Sequence, residues 1–153
     1  MDRGGSLKVL RIKKGIPGSI HFGSGIFFNK VIMNLANIKR ALQFIDKNFH
    51  RPLSLEEVSR ESGMSKYHFA RTFKAVTGIT FKTYHNKKRI EAAKDLLKDN
   101  EMQITNVCYS LGFNDTSYFN RVFRKYEGVT PSLYKKRAAT RELLFRIRNE
   151  NQP

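Results

Sequence analysis

The sequence predicts an all-α protein of about seven helices, with two helix-turn-helix subdomains joined by a long linker helix and preceded by a short N-terminal arm or hairpin. Two observations lead to this prediction. From Leu35 onward, apolar residues recur at steps of three and four, which is typical of helices that bury one face. In addition, the segment from Gly63 to Gly78 returns about fifty residues later, from Gly112 to Gly128.

Residues 1–33 are predicted to form the N-terminal arm, as a β-hairpin or a disordered segment. The region is rich in glycine and contains the short β-like runs LKVLRI and SGIFF. It is too short to be an effector-binding domain.

Residues 34–98 are predicted to form the first subdomain and the linker helix. A first helix begins near Leu35 and stops at Pro52, because proline cannot continue a helix. In the short second helix, Ser54 is expected to act as N-cap and Glu57 to reach back to it as a capping box. A third helix, capped by Ser65, ends at Gly78, and the linker helix follows from Thr80 to about Lys98.

Residues 99–138 are predicted to repeat the first subdomain. The last helix is expected to begin at Thr130-Pro131, an N-cap followed by proline at the first helical position, and to run to about Arg137. Residues 139–153 are predicted to form a C-terminal tail that can be helical. Its Leu143, Leu144 and Ile147 are expected to pack back on the domain, and contact with a partner is the alternative.

Matched positions indicate that the two subdomains arose by duplication of one unit. The offset between the copies is 49 residues up to the turn glycines and 50 after them, which implies one inserted residue in the second turn. Glycine at this turn allows a positive φ that a Cβ penalises. The matched pairs are Leu55 with Ile104, Val58 with Val107, Gly63 with Gly112, Phe69 with Phe119, Arg71 with Arg121, Phe73 with Phe123, Gly78 with Gly128, Thr80 with Thr130 and Tyr84 with Tyr134.

The charge of the chain indicates an anionic partner. Its 29 Lys and Arg outnumber its 13 Asp and Glu, which gives a net charge of +16. The excess is spread along the folded segments, which favours nucleic acid over a membrane surface. No apolar run approaches the length of a membrane span, and the segment from Met1 to Leu10 lacks the long apolar core of a secretory signal, so we expect a cytoplasmic, nucleoid-associated protein.

Each repeated helix carries a second stripe opposite its phenylalanines, and neither stripe contains an acid. Such side chains suit the DNA major groove, where Arg can pair with guanine and Asn with adenine. A solvated helix face is the alternative for either copy alone, but two matched copies favour groove contact. The stripes consist of Tyr67, Ala70, Arg71 and Lys74 in the first helix, and of Ser117, Asn120, Arg121 and Arg124 in the second.

Hydroxyls and cations around these helices are expected to contact the DNA backbone. The principal candidates are Ser65, Lys66, Lys74, Thr80, Lys82, Arg124 and Thr130. Further candidates are Lys87, Lys88, Arg89 and Lys135.

The spacing of the two stripes fits one molecule of duplex DNA. A linker helix of about 17 residues spans ~25 Å. With the widths of the helices added, the two copies can lie about 34 Å apart, one turn of DNA. A monomer could therefore occupy two successive major-groove segments.

No catalytic, metal or cofactor site is predicted. The four histidines are scattered without ligand spacing, and Cys108 lies on the apolar side of a short helix, where a buried structural thiol is expected. The alternative to a sequence-specific regulator is an architectural protein that binds DNA without sequence preference. A DNA-repair enzyme that uses the helices only for docking would need a reactive constellation, and the sequence offers none.

The stretch from Lys87 to Arg137 resembles the signature region of the AraC/XylS family of bacterial transcription regulators, and SLEEVSRESGMSKYHFARTFKAVTG resembles the family's first helix-turn-helix. The residues that carry the resemblance are Ile104, Val107, Gly112, Phe113, Tyr118, Phe119, Arg121, Phe123, Gly128, Pro131 and Tyr134.

The resemblance implies a seven-helix DNA-binding domain that acts at promoters, usually as an activator that also contacts RNA polymerase. It places the base contacts on Tyr67, Ala70, Arg71, Ser117, Asn120 and Arg121. The chain is then either a stand-alone regulator that binds double-stranded DNA as a monomer or a fragment of a longer protein.

Overall fold

The computed structural model describes residues 25–150, and these fold into seven α-helices without a β-strand. The predicted all-α class and helix number are confirmed. The helices are α1 (Gly25–Asn48), α2 (Leu55–Glu61), α3 (Lys66–Thr77), α4 (Phe81–Leu96), α5 (Ile104–Ser110), α6 (Thr116–Glu127) and α7 (Pro131–Glu150).

The helices form two lobes, each around its own apolar core. In the first lobe, α1, α2 and α3 pack around Phe69 and Phe73, both fully buried. In the second lobe, α5 and α6 pack around Phe119 and Phe123, which are also fully buried. Helix α4 belongs to both lobes, because Phe81 at its start joins the first core while Ile90, Ala93 and Leu97 join the second.

The two helix-turn-helix units repeat each other in their turn hydrogen bonds. The amide of Gly63 donates to the carbonyl of Arg60 at 2.9 Å, and that of Gly112 donates to Tyr109 at 3.0 Å. Both glycines have positive φ, 73° and 72°, as the turn requires. Equivalent bonds from Met64 and Phe113 follow, so the inserted residue of the second turn is the exposed Asn114.

Helix α1 begins earlier than the sequence analysis predicts. Residues 25–33, assigned to the N-terminal arm, are helical, and SGIFF is therefore not a β-run from Gly25 onward. The apolar residues of this segment also satisfy helical spacing, and neither glycine nor proline interrupts it after Gly25. The remaining part of the predicted arm, 1–24, lies outside the described residues.

Helix α7 extends through the predicted tail without a break. Its residues from Ala138 to Glu150 are mostly good helix formers, and the segment contains neither glycine nor proline. The expected packing of the tail on the domain is wrong, since Leu143 and Leu144 remain 58% and 59% exposed. Ala138, Arg141 and Phe145 of this segment border an open cleft whose other side includes Lys98 and Glu127, so the segment lies beside the second lobe without joining its core.

Two helix starts differ in detail from the capping predicted. Ser54 caps α2 by accepting from the Glu57 amide at 3.0 Å, but the Glu57 carboxylate binds Arg51 at 2.6 Å instead of closing a capping box. Ser65 occupies the N-cap position of α3 without a side-chain cap bond, which leaves its exposed hydroxyl available to an external partner.

Candidate nucleic-acid interface

Helices α3 and α6 each bury their phenylalanines and present the polar stripe to solvent. On α3, Tyr67 is 75% exposed, Arg71 and Lys74 are exposed, and Ala70 is half-buried. On α6, all four stripe residues are exposed: Ser117, Asn120, Arg121 and Arg124. The burial of one face therefore determines which side chains either helix can offer to a partner.

An aromatic ring lies beside the stripe arginine on each helix. The Arg71 guanidinium lies 5.8 Å from the centroid of the Tyr67 ring, and the Arg121 guanidinium lies 5.4 Å from that of Tyr118. Cation–π contacts at exposed sites are worth about 0.5–1 kcal/mol. They restrict the side chain, so less conformational entropy is lost when either arginine meets a planar acceptor.

The start of α4 lies between the two stripes. A cleft of about 580 Å³ is lined by Ala70 of α3, Lys82 of α4 and Tyr118 of α6. An adjoining cleft of about 320 Å³ shares Lys82 and Tyr118 and is lined also by Arg121. The stripes on α3 and α6 thus border one continuous surface with the first turns of α4 between them.

The principal backbone-contact candidates lie around this surface. Lys66, Lys74, Lys82 and Arg124 are exposed, and the nearest carboxylate to Lys66 is Glu56 at 4.0 Å. The hydroxyls of Thr80 and Thr130 accept cap bonds from the amides of Thr83 and Leu133, both at 3.3 Å. The Thr130 hydroxyl retains its proton as a donor, whereas the Thr80 hydroxyl also lies 2.9 Å from the Thr83 hydroxyl and shares a hydrogen bond with it.

Three of the further candidates have partners inside the protein. Arg89 is only 6% exposed, and its Nε donates to the Phe49 carbonyl at 2.9 Å, so it is not a surface cation. Lys88 pairs with Asp46 at 2.8 Å, and the Lys135 ammonium donates to the Met102 carbonyl at 2.6 Å. Lys87 differs from these three, because it is exposed and its side chain makes no hydrogen bond or ion pair with the described residues.

Several residues at this surface were missed as site candidates. Asp115 caps α6, accepting from the amides of Ser117 and Tyr118 at 3.0 and 2.7 Å. Asn86 donates to the Tyr118 hydroxyl at 3.1 Å, which links α4 to α6 across the cleft. The i+4 position after Arg121 is Lys125, which helical spacing alone could have identified.

Two ionisable groups are buried directly beneath the surface, where the lobes meet. Burial lowers the pKa of His85 to about 4, with the positive charge of Arg89 acting in the same direction. Burial also lowers the pKa of Arg89 to about 10, which leaves it a cation at neutral pH. His85 is therefore a neutral hydrogen-bond donor, and its Nε2 lies 3.1 Å from the Phe49 carbonyl oxygen.

The described part of the chain contains neither a cluster of metal ligands nor a membrane-spanning helix. Among residues 25–150, His, Cys, Asp and Glu side chains form no group of three or more that could hold a metal ion. None of the seven described helices combines the length and apolarity that crossing a membrane requires. Cys108 is fully buried in the second core, as the sequence predicts.

Comparison with known proteins connects this geometry to a family. Residues 58–137, more than half of the chain, match the family described as "Helix-turn-helix domain". The HTH-type transcriptional activator AarP of Providencia stuartii is 33% identical over 99 residues, covering 64% of this chain and 73% of AarP. The Regulatory protein PocR of Salmonella typhimurium is 37% identical over 100 residues, or 65% of this chain and 33% of PocR.

Two further similarities concern a second relative and a solved structure. The bifunctional transcriptional activator/DNA repair enzyme AdaA of Bacillus subtilis is 34% identical over 100 residues, 65% of this chain and 47% of AdaA. The DNA-binding domain of the transcription factor AdpA, solved in complex with target DNA, has the same fold, with a TM-score of 0.65 at 21% identity over 69% of this chain and 95% of that domain.

The chain thus spans about a third of PocR and about half of AdaA but most of AarP. The shared part is the pair of helix-turn-helix units whose turn glycines, buried phenylalanines and exposed stripes are described above. On these grounds the chain belongs to the AraC/XylS family of helix-turn-helix transcription regulators.

Proposed function

We propose that the protein binds double-stranded DNA sequence-specifically and regulates transcription at promoters, with α3 and α6 in two successive segments of the major groove. The observation that carries this proposal is the pair of exposed, acid-free stripes that border one continuous surface. A solvated face would have no reason to exclude acids from both copies.

The stripe residues divide into two roles. Arg71 and Arg121 offer bidentate donors to guanine, and Asn120 offers a donor and an acceptor to adenine. Tyr67 and Ala70 present apolar surface to a thymine methyl or a sugar, and Ser117 adds one hydroxyl. Because Ala70 has no hydrogen-bonding group, the first stripe specifies fewer bases than the second.

Phosphate contacts surround these base contacts. Lys66 lies beside the first stripe, Lys74 and Arg124 are the last residues of the two stripes, and Ser65, Thr80 and Thr130 stand at helix starts. Lys82 lies between the stripes, where the DNA backbone that separates two major-groove segments would cross the cleft. Lys82 therefore contributes affinity without base preference.

The length of α4 supports occupation of two successive groove segments. Its 16 residues span ~24 Å. The widths of the flanking helices bring the separation of α3 and α6 towards one DNA turn, about 34 Å. One chain can then occupy two successive groove segments, for which a helix-turn-helix dimer uses two chains, so we propose that it binds as a monomer.

The relatives support a regulatory role. AarP is a transcriptional activator, and AdpA binds a target DNA through the same fold. By analogy with AarP we propose that the present chain acts on DNA in the bacterial cytoplasm as an activator, and the resemblance to the AraC/XylS family supports a contact with RNA polymerase. Transcription in vitro from a bound promoter, with purified polymerase, tests the activation directly: added protein should raise the yield of transcript.

Selection of bound duplexes from a random library tests the central proposal. The selected DNA should contain two short motifs about one helical turn apart, and it should compete at least about a thousandfold better than scrambled DNA at the same salt concentration. The +16 charge favours the alternative of an architectural protein. Equal competition by scrambled DNA would establish that alternative and overturn the proposal.

A catalytic role is the remaining alternative, since AdaA is also a DNA repair enzyme. The only cysteine of this chain, Cys108, is fully buried, and burial raises its pKa above the ordinary thiol value, which makes it a poor nucleophile. We therefore propose a non-enzymatic regulator. Incubation with alkylated duplex should leave the alkyl groups on the DNA, and their transfer to Cys108 would contradict this.

A further inference from the structure

The carbonyl of Phe49, at the end of α1, receives two hydrogen bonds from the middle of α4. His85 Nε2 donates at 3.1 Å and Arg89 Nε donates at 2.9 Å. Both donors are buried, at 5% and 6% exposure. The first lobe is therefore attached to the linker helix at a point one to two turns beyond Phe81, where α4 leaves the first core.

Arg89 extends this attachment into the second lobe. Its guanidinium lies 4.9 Å from the centroid of the Phe113 ring, and Phe113 is part of the second core. The Phe49 side chain packs against both cores. Buried charges are costly to desolvate, and Arg89 is only partly compensated, since its Nη2 is buried without a hydrogen-bond partner among the described residues.

The turn glycine of the second lobe touches the same region of the first lobe. A Cβ placed on Gly112 would lie 2.7 Å from Arg51 Cα and 2.8 Å from the His50 carbonyl oxygen, closer than non-bonded atoms approach. Because these neighbours are backbone atoms, no side chain can move to relieve the contact. The second lobe can approach the first this closely only because residue 112 lacks a side chain.

Its counterpart in the duplicated unit has no such neighbour. Gly63 has nearly the same φ, 73° against 72°, but a Cβ there would meet only the flexible end of Arg40 at 3.5 Å. A substitution to alanine therefore causes similar backbone strain at both positions, but only at residue 112 does the added Cβ also clash with the other lobe. This pair provides a matched control within one molecule.

We propose that the Phe49 carbonyl, His85, Arg89 and Gly112 form a lobe lock that fixes the orientation of α6 relative to α3. The lock thereby sets the spacing of half-sites that the protein accepts on DNA. This inference deepens the proposed function and, for its consequence on DNA, rests on it. These residues are positioning residues, because they act through the placement of the two recognition helices.

Helix α4 alone would fix the lobes less firmly. Without the lock, the first lobe would hold α4 through Phe81 in its first turn and through the half-exposed ion pair of Lys88 with Asp46, while the second lobe holds its other end through Ile90, Ala93 and Leu97. A helix of this length can bend and fray near its ends. The lock removes this freedom by joining the loop after α1 to the turn after α5.

A distance measurement on the free protein tests the lock without DNA. Spin labels at Ala75→Cys and Lys125→Cys report the separation of α3 and α6, since both positions are exposed on these helices, whereas the native Cys108 is buried and stays unlabelled. Gly112→Ala should broaden or shift the distance distribution measured by double electron–electron resonance. Gly63→Ala should leave it as in the parent, and equal distributions for the two variants would overturn the proposal.

Binding to DNA with altered half-site spacing tests the consequence. The parent protein and Gly63→Ala should share one sharp spacing optimum, whereas Gly112→Ala should lose about tenfold in affinity at that spacing and bind neighbouring spacings almost as well. Affinity for a duplex with a single half-site should not change. A sharp, unshifted optimum in Gly112→Ala would contradict the lock.

The two experiments distinguish a failure of the proposed function from a failure of the lobe lock. If the parent protein itself shows no dependence on spacing, the proposed function fails, while the spin-label result still decides whether the lock exists. If Gly112→Ala does not fold, Arg89→Met takes its place, because it keeps most of the side-chain volume but removes the charge and the bond to Phe49. The same broadened distance distribution is expected, and an unchanged one overturns the proposal.

Discussion

At the scale of single residues, Arg121 and Lys82 carry the same charge and border the same cleft, yet they offer different chemistry to DNA. Arg121 lies on the exposed stripe of α6 with its guanidinium beside the Tyr118 ring. Lys82 lies between the stripes, where only a phosphate is expected to reach it. A planar bidentate donor can distinguish bases, whereas an ammonium behaves as a point charge.

Replacing each of these residues by alanine should therefore have different effects. Arg121→Ala is expected to cost about 1–3 kcal/mol of binding free energy and to relax base preference at one position of the selected site. Lys82→Ala should weaken binding to all sequences alike and reduce the slope of log K against log salt by about 1. Binding titrations at several salt concentrations measure both effects. If the two variants show the same base preference and the same salt dependence, the assignment of Arg121 to bases and Lys82 to phosphate is refuted.

His85 gives the stability of the protein a pH dependence whose sign follows from its pKa. The folded value, about 4, lies below the ordinary 6.5, so the unfolded chain takes up a proton first as the pH falls. The contribution of neutral His85 to the free energy of unfolding is complete above about pH 6.5 and is lost as the pH falls towards about 4. The free energy of unfolding should fall by about 2 kcal/mol between pH 7 and pH 5.

Chemical denaturation at these two pH values checks this expectation. His85→Gln keeps a donor for the Phe49 carbonyl but cannot be protonated, so its free energy of unfolding should change much less over the same range. His50→Gln, at an exposed position, serves as the control and should behave like the parent protein. A His85→Gln variant with the full pH dependence would show that another group is responsible.

At the scale of helices, the two faces of α6 have different roles. The buried face stabilises the fold, and the exposed face is the one proposed to bind DNA. Phe123→Ala removes a fully buried ring from the second core and should lower the free energy of unfolding by about 3–5 kcal/mol. Phe145→Ala, at a position 59% exposed on α7, should change it by less than about 0.5 kcal/mol. Thermal and urea unfolding measure both, and a large effect of Phe145→Ala would mean that the end of α7 packs on the lobe after all.

The periodic elements were predictable because local signals and burial agree in them. The phenylalanine spacing of α3 and α6 and the turn glycines Gly63 and Gly112 identify the duplicated unit from the sequence. The helices at the two ends of the described chain were harder to predict. The apolar residues after Gly25 suit a strand or a helix, and only the structure shows the helix.

Contacts between distant segments could not be predicted from local pattern. Arg89 looks like an ordinary surface cation in a basic helix, and only the approach of Phe49, 40 residues earlier, buries it. In the same way, the φ of Gly112 was foreseeable, but its contact with the Arg51 backbone depends on how the lobes meet. The exposed stripes were predicted as a surface, whereas their contacts with bases remain a proposal.

At the scale of the whole molecule, the account depends on both recognition helices engaging one duplex from the same side. Two adjoining clefts, which join Ala70 of the first stripe to Arg121 of the second across the start of α4, make this possible for a single chain. Insertion of five base pairs between the half-sites would rotate one of them by about half a turn of DNA, away from that surface. Binding should then fall to the level of a single half-site.

Methylation interference on the selected duplex tests the central claim most directly, because it reports major-groove contacts at guanine N7. We expect two separate groups of interfering guanines, centred about one helical turn apart on the same face of the DNA, with the group assigned to α6 lost in Arg121→Ala. Interference confined to one groove segment, or none at specific positions, would contradict the account.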